Sequence, residues 1–224
     1  MLKIYNEYSS LGVNNYYKLN NSSYYNPHQD KINKIFTEYI IPYIQSLGVI
    51  SIKHYTPQID HKFKILDLAC GNGLVSRIIN NIIPVNNNAK QSDNNFNINN
   101  NIKQSNNNKT KIKNIIIEGC DPYFHNEYVK YTYSFQDIAN GVLYNTKLKF
   151  DLVTCCYAFH LLDTSWYYSF FEELALTTDN FIIITPSKKI EIKHPRWIIK
   201  NKIRKNKITI IFLVINFKQL NLNN

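Results

Sequence analysis

The stretch that decides the fold runs from Phe63 to Ile82, FKILDLACGNGLVSRIINNI. FKILDLA reads as a short buried strand, CGNG as a turn, and LVSRIINNI carries its apolar residues at helical steps. Gly71 and Gly73 allow the backbone to turn tightly and approach a ligand, and the helix that follows presents free N–H groups toward it. Asp67, just ahead of the turn, either holds a cationic group or braces the loop. Two common nucleotide fingerprints fail here. Ala69 opens the loop and Val75 or Ser76 falls near the third glycine of the NAD pattern, which disfavours a nicotinamide dehydrogenase, and no G-K-[ST] follows to make a P-loop.

Outward from this unit the same grammar repeats. IIIEGCDPY, after Asn114, reads as a second strand and turn; Tyr131 to Phe135 reads as a weaker strand; DLVTCCYAFHLL, after Phe150, is a strong strand leading into a loop. A helix is predicted from about Trp166 to Leu176, then the strand NFIIITP, then a terminal hairpin of Trp197 to Lys202 and Lys207 to Phe217. Strands alternating with helices predict an α/β fold with a doubly wound, mostly parallel sheet. Upstream, Asn26-Pro27 marks the entry to a helix from Asp30 or Lys31, with Ile32, Ile35, Phe36, Tyr39, Ile40 and Tyr43 on one face. The expected organisation is an N-terminal helical cap over 1–60 and a catalytic domain over 61–217, with a frayed tail over 218–224. The segment from about 86 to 110 is dominated by Asn without apolar periodicity, and a disordered insertion is expected there.

At 224 residues the chain is long enough for one substantial core. No apolar run follows the first lysine, and the longest run, Ile208 to Phe217, is far short of the roughly 20 residues that cross a bilayer, so a cytoplasmic protein without membrane attachment is expected. Cys70, Cys120, Cys155 and Cys156 lack CxxC spacing and paired histidines; the expectation is reduced thiols, with neither a disulfide framework nor a metal site. The net charge of +10 is spread over lysines mixed with Asn, Ile and Tyr, which reads first as a solvated surface and second as a nucleic-acid footprint.

Asp121 closes the second strand in EGCDPY, where a carboxylate can accept hydrogen bonds from ribose hydroxyls or simply start the Asp-Pro turn. DLACGNG, GCDPY and FDLVTCCYAFHLL together resemble the first, second and fourth motifs of class I S-adenosylmethionine-dependent methyltransferases, and NPH, QDIANG and TPSKK resemble a subgroup of small members. The resemblance implies a Rossmann-like, seven-stranded sheet ending in an antiparallel hairpin, with S-adenosylmethionine as cofactor. It places Asp67, Ala69, Cys70, Gly71 and Gly73 around the methionine side, Asp121 and Pro122 at the ribose, Asp137 and Ile138 at the adenine, and Cys155 and Cys156 near the methionyl amino and carboxyl groups.

His160, after the fourth strand, is a candidate general base or a loop-holding residue. Tyr17, Tyr24, Tyr25 and His28 are candidates to frame the acceptor or meet the sulfonium by cation–π contact, with ordinary packing the alternative. Trp166 and Trp197 are assigned to the core. A small-molecule acceptor is expected first; an RNA or protein acceptor would need a basic surface beside the cleft, with Lys188, Lys189, Lys193 and Arg196 converging. A scaffold that keeps the fold without turnover is the third reading. Oligomeric state is not encoded in any feature of the sequence.

Overall fold

Parallel β1 (Phe63–Leu68) pairs with β2 (Ile115–Cys120) on one side and β4 (Leu152–Cys156) on the other, in registers Phe63↔Ile115 and Ile65↔Leu152. β3 (Val129–Tyr131) extends the sheet beyond β2, and β5 (Asn180–Thr185) beyond β4. β6 (Trp197–Lys205) and β7 (Ile208–Ile215) form the hairpin, β7 running antiparallel to β5. The order is β3-β2-β1-β4-β5-β7-β6. This is a computed structural model; it describes residues 26–54, 62–83, 115–187 and 190–217, with positions 12, 15 and 19 besides. The expected insertion at 86–110 and tail at 218–224 lie outside the described residues.

β1, β4, β5 and β7 are near-continuous apolar runs because helices cover both faces of the sheet, so no alternating polar face is needed. On one face lie α1 (Gln29–Ile35), a π-helical turn (Phe36–Ile40), α2 (Ile41–His54) and α3 (Leu74–Ile82), packed through Ile32, Phe36, Ile40 and Ile79 onto Ile65, Ile182 and Ile210. On the other lie α4 (Phe135–Ala139), α5 (Val142–Asn145) and α6 (Tyr167–Thr177). An aromatic cluster of Phe159, Phe170, Phe171, Phe181 and Trp197 fills this second core. The Trp197 indole N–H donates to the Phe171 carbonyl at 2.8 Å, which satisfies its one polar atom in a buried place.

The expected architecture is present, with shifted boundaries. The weak strand lies at Val129–Tyr131 rather than Tyr131 to Phe135, because Ser134 caps α4 and ends extended pairing. β6 continues to Lys205, joined to β7 by the two-residue turn Asn206-Lys207 with φ of 50° and 66°, the positive-φ pair that matches the twist of a hairpin.

The chain runs β1, β2, β3 outward on one side and β4, β5 outward on the other. The reversal between β1 and β4 leaves a crevice at their carboxyl ends, where open α/β sheets bind ligands.

Candidate functional site

A cleft of about 240 Å³ opens at that crevice, walled by the loop after β1, the loop after β2, the start of α4 and the segment after β4. Asp67 forms its floor. The side chain is 0% exposed; Oδ1 accepts the Thr154 hydroxyl at 3.1 Å, while Oδ2 is buried without a partner among the described residues. Burial, opposed by the Thr154 hydrogen bond and reinforced by the nearby Asp121 charge, pushes its pKa up to about 8. An unpartnered carboxylate oxygen in a cleft is a receptor for a cationic or hydrogen-bond-donating group.

Beyond Asp67 the backbone adopts left-handed angles at Ala69 (φ 53°), Gly71 (φ 55°) and Gly73 (φ 77°). Ala69, Cys70 and Gly71 line the cleft. Gly73 does not: a Cβ there would meet the Tyr128 ring at 2.2 Å, so its bare face serves packing beneath Tyr128 rather than approach to a ligand. Tyr128 is in turn covered by the Arg77 guanidinium, 5.6 Å from the ring centroid.

Asp121 sits across the cleft, adjoined by Pro122. It does not face solvent at the strand end: it is 4% exposed and already engaged. Oδ2 accepts the Gly71 N–H at 2.9 Å; Oδ1 accepts the N–H groups of Tyr123 at 2.9 Å and Phe124 at 3.2 Å. The carboxylate thus ties the β1 loop to the β2 loop. With about four acceptor positions on an ionised carboxylate, one remains, on Oδ2.

Ile138 lines the cleft but Asp137 does not. Asp137 is exposed and its Oδ2 accepts the Ser134 N–H at 2.8 Å and hydroxyl at 2.7 Å, while Ser134 Oγ accepts the Asp137 N–H at 3.1 Å. This capping box starts α4 and engages the carboxylate through Oδ2. Cys156 reaches the cleft; Cys155 is fully buried among the second core, and burial raises both thiols far above their ordinary range, leaving them protonated.

His160 lies on a 3-10 turn, Phe159–Leu161, exposed and outside the cleft, whereas its neighbours Leu161 and Leu162 line it. His28 precedes α1 and its ring packs at a tilt against Tyr157, centroids 5.1 Å apart, and Tyr157 does line the cleft. Tyr17, Tyr24 and Tyr25 lie outside the described residues, as do Lys188 and Lys189. Lys193 and Arg196 do not converge on the cleft: they pair with Glu191 at 2.8 Å and Glu172 at 3.2 Å, and Arg196 stands at the opposite edge of the sheet, just before the Trp197↔Ile215 end of β6.

Several cleft residues escaped the sequence reading. Asn26 lines the mouth while its Oδ1 accepts the His28 N–H at 2.9 Å, a turn signalled by the Asn-Pro pair. Tyr157 takes φ of 61°, a strained value for a non-glycine residue, which turns the chain out of β4 toward the cleft. Trp166, assigned to the core from sequence, is only partly buried and lines the cleft with Phe135 and Tyr133.

Among the described residues no group of three or more His, Cys, Asp or Glu side chains is placed to hold a metal ion, and no helix is long and apolar enough to cross a membrane.

No protein-family model matches the sequence, and no curated protein matches it. Among solved structures, the chain is similar to an S-adenosylmethionine-dependent methyltransferase from Clostridium acetobutylicum (12% identity, 84% of this chain and 98% of that one, TM-score 0.41). It is similar also to a ribosomal protein L11 methylase from Lactobacillus delbrueckii subsp. bulgaricus (9%, 78% and 79%, TM-score 0.36) and to an rRNA methylase from Escherichia coli (11%, 86% and 78%, TM-score 0.35). At these TM-scores the likenesses carry no argument, and the fold rests on its own topology. Five parallel strands in the order 3-2-1-4-5, closed by an antiparallel β7 inserted before β6, give this chain the Rossmann-like, doubly wound seven-stranded sheet expected from its sequence.

Proposed function

We propose that this chain is an S-adenosylmethionine-dependent methyltransferase that binds its cofactor in the cleft between β1 and β4. The observation that carries the reading is Asp67 Oδ2, buried and unpartnered at the cleft floor beside a glycine turn. The cofactor is cationic at its methionyl amine, and Asp67 is the carboxylate able to receive that charge. Asp121 has room for one ribose hydroxyl on Oδ2, and Ile138 offers an apolar wall to the adenine. The cleft's walls open to the adenine are Ile138, Phe135 and Leu161.

When bound, the cofactor supplies an activated methyl carbon on sulfur. The protein's share is to orient the acceptor in line with that carbon and to keep water out. Orientation falls to the polar groups at the mouth: the Asn26 amide, the Tyr157 phenol and the Asp163 carboxylate. His160, outside the cleft, is not placed to take the acceptor's proton.

Calorimetric titration with S-adenosylmethionine and S-adenosylhomocysteine tests the reading. Micromolar binding, about −8 kcal/mol, is expected. An ammonium against Asp67 favours its ionised form, so binding near pH 7 releases a proton, seen as a dependence of the heat on the buffer's ionisation enthalpy. Absence of binding by a folded sample overturns the assignment.

A further inference from the structure

The β6–β7 turn lies at the carboxyl edge of the parallel strands, because Thr185 of β5 pairs with Thr209 and Arg204 with Thr209. It therefore stands on the same edge as the cleft. From there a strip of cations runs across the helical face of the sheet. Lys205 lies 5.4 Å over the Tyr39 ring and pairs with Glu38 at 2.5 Å; Lys200 lies 5.3 Å over Tyr43; Lys31 and Lys34 are exposed on α1, which begins beside His28 at the cleft mouth. Lys207 is exposed in the turn itself, and Arg204 holds the turn to the Pro186 and Ser187 carbonyls and the Thr209 hydroxyl. Burial raises the Tyr157 phenol, and the Arg204 charge is near enough to oppose that rise, which ties the turn to the cleft wall. The carboxylates on this stretch of helix are Asp30 and Glu38, the latter paired with Lys205.

Lysines on an edge strand also discourage sheet-to-sheet pairing, which accounts for β6 alone. It does not account for Lys31 and Lys34, which belong to a helix. From Lys200 to Lys205 the strand spans about 17 Å at ~3.3 Å per residue, longer than a small carboxylate can use. Phosphates of a nucleic-acid chain recur every ~3.4 Å along a strand, so such a strip meets several.

We propose that this strip carries the phosphate backbone of a nucleic-acid strand and delivers one base into the cleft as the methyl acceptor. The proposal rests on the methyltransferase reading above and names its substrate class. Trp166 and Tyr133 supply the aromatic surface on which an unstacked base can lie. A nitrogen or oxygen of that base forms the new bond to the methyl carbon as the carbon–sulfur bond breaks and its electron pair returns to sulfur; the proton lost from the acceptor atom passes to bulk water once the methylated base leaves the cleft.

The test is anisotropy of labelled single-stranded RNA and single-stranded DNA oligonucleotides with the full chain, against phosphatidylserine vesicles. Four cations that form no salt bridge among the described residues, Lys31, Lys34, Lys200 and Lys207, predict a salt slope of about −2.8, so affinity falls about fiftyfold from 50 to 200 mM salt. The triple variant Lys34→Gln, Lys200→Gln, Lys207→Gln is expected to lose about 2 from the slope and about tenfold or more in affinity at low salt, with S-adenosylmethionine binding unchanged. Which oligonucleotide binds more tightly identifies RNA or DNA as the source of the backbone. Binding of neither, equal binding by the variant, or capture by vesicles without nucleic-acid binding overturns the proposal. Nucleic-acid binding by protein that takes up no S-adenosylmethionine overturns the acceptor role together with the methyltransferase reading, leaving a binding surface only.

Discussion

Gly73→Ala separates a glycine kept for a ligand from one kept for packing. The substitution places a Cβ at φ 77°, which costs about 1–2 kcal/mol for a left-handed L-residue. That Cβ would lie 2.2, 2.3 and 2.6 Å from Tyr128 Cγ, Cδ2 and Cβ, where carbon contacts ordinarily begin at about 3.5 Å. Rotating the ring cannot relieve the third contact, and the Tyr128 backbone is fixed at both ends, its N–H donating to Asn126 Oδ1 at 2.9 Å and its carbonyl accepting the Gly119 N–H at 3.1 Å. Overpacking of this kind costs about 1–3 kcal/mol, so the total is about 2–5 kcal/mol. Urea unfolding monitored by circular dichroism reads it directly. In a Tyr128→Gly background the same substitution should cost only the left-handed strain, about 1–2 kcal/mol. A loss below about 1 kcal/mol in the parent, or an equal loss in both backgrounds, refutes the argument. Gly71→Ala provides the contrast: its Cβ would meet only the Phe124 ring at 3.9 Å, so strain alone opposes it, and the larger effect should be on cofactor affinity.

Asp67 has its pKa raised in the folded state, so the folded chain holds a proton that the unfolded chain releases above about pH 4, and stability falls as pH rises toward 8. Asp67→Asn should flatten that slope and gain about 1–3 kcal/mol at pH 8 while losing S-adenosylmethionine affinity; thermal melts across pH that keep the parent's slope would contradict it. Asp121→Ala leaves the N–H groups of Gly71, Tyr123 and Phe124 without their acceptor and should cost about 2–4 kcal/mol in urea unfolding, so a neutral result would remove its role in tying the loops. His194 is buried against Tyr168 and accepts the Arg196 N–H on Nδ1 at 3.2 Å; its Nε2 lies 3.3 Å from Glu172 Oε1 without an aligned hydrogen bond. Burial lowers its pKa despite Glu172, so its contribution is full above about pH 6.5 and is lost as pH falls through the lowered folded value. His194→Gln should therefore lose less melting temperature than the parent between pH 7.5 and pH 5, and parallel losses would count against the assignment.

Legibility tracked the range over which each signal acts. The β1–turn–α3 unit was readable because its strand run, glycines and helical steps are contiguous, and Asp67 belongs to that run. The purpose of Gly73 was not, since Tyr128 stands 55 positions downstream and reaches it only once β2 and β3 have paired. Asp121 was recognised as a strand-end carboxylate, but its burial depends on two loops folding over it. The local role of Asp137 has a different origin: Ser134 to Asp137 spells a capping box, a signal legible in four contiguous residues. α4 and α5 are too short to display periodicity.

Charge was the least readable layer. Lys31, Lys34, Lys200, Lys205 and Lys207 look scattered along the chain because their neighbourhood is created by tertiary register, with Tyr39 and Tyr43 of the helical face set beneath Lys205 and Lys200 of the last hairpin. Of the cations whose convergence beside the cleft would mark a polyanion site, Lys193 and Arg196 are spent on Glu191 and Glu172. A count of lysines along a sequence measures neither of these things. What decides whether a basic protein offers a polyanion a path is which cations remain without carboxylates after the chain has folded, and here, among the described residues, Lys207 is such a cation on the edge of the sheet where the cleft opens.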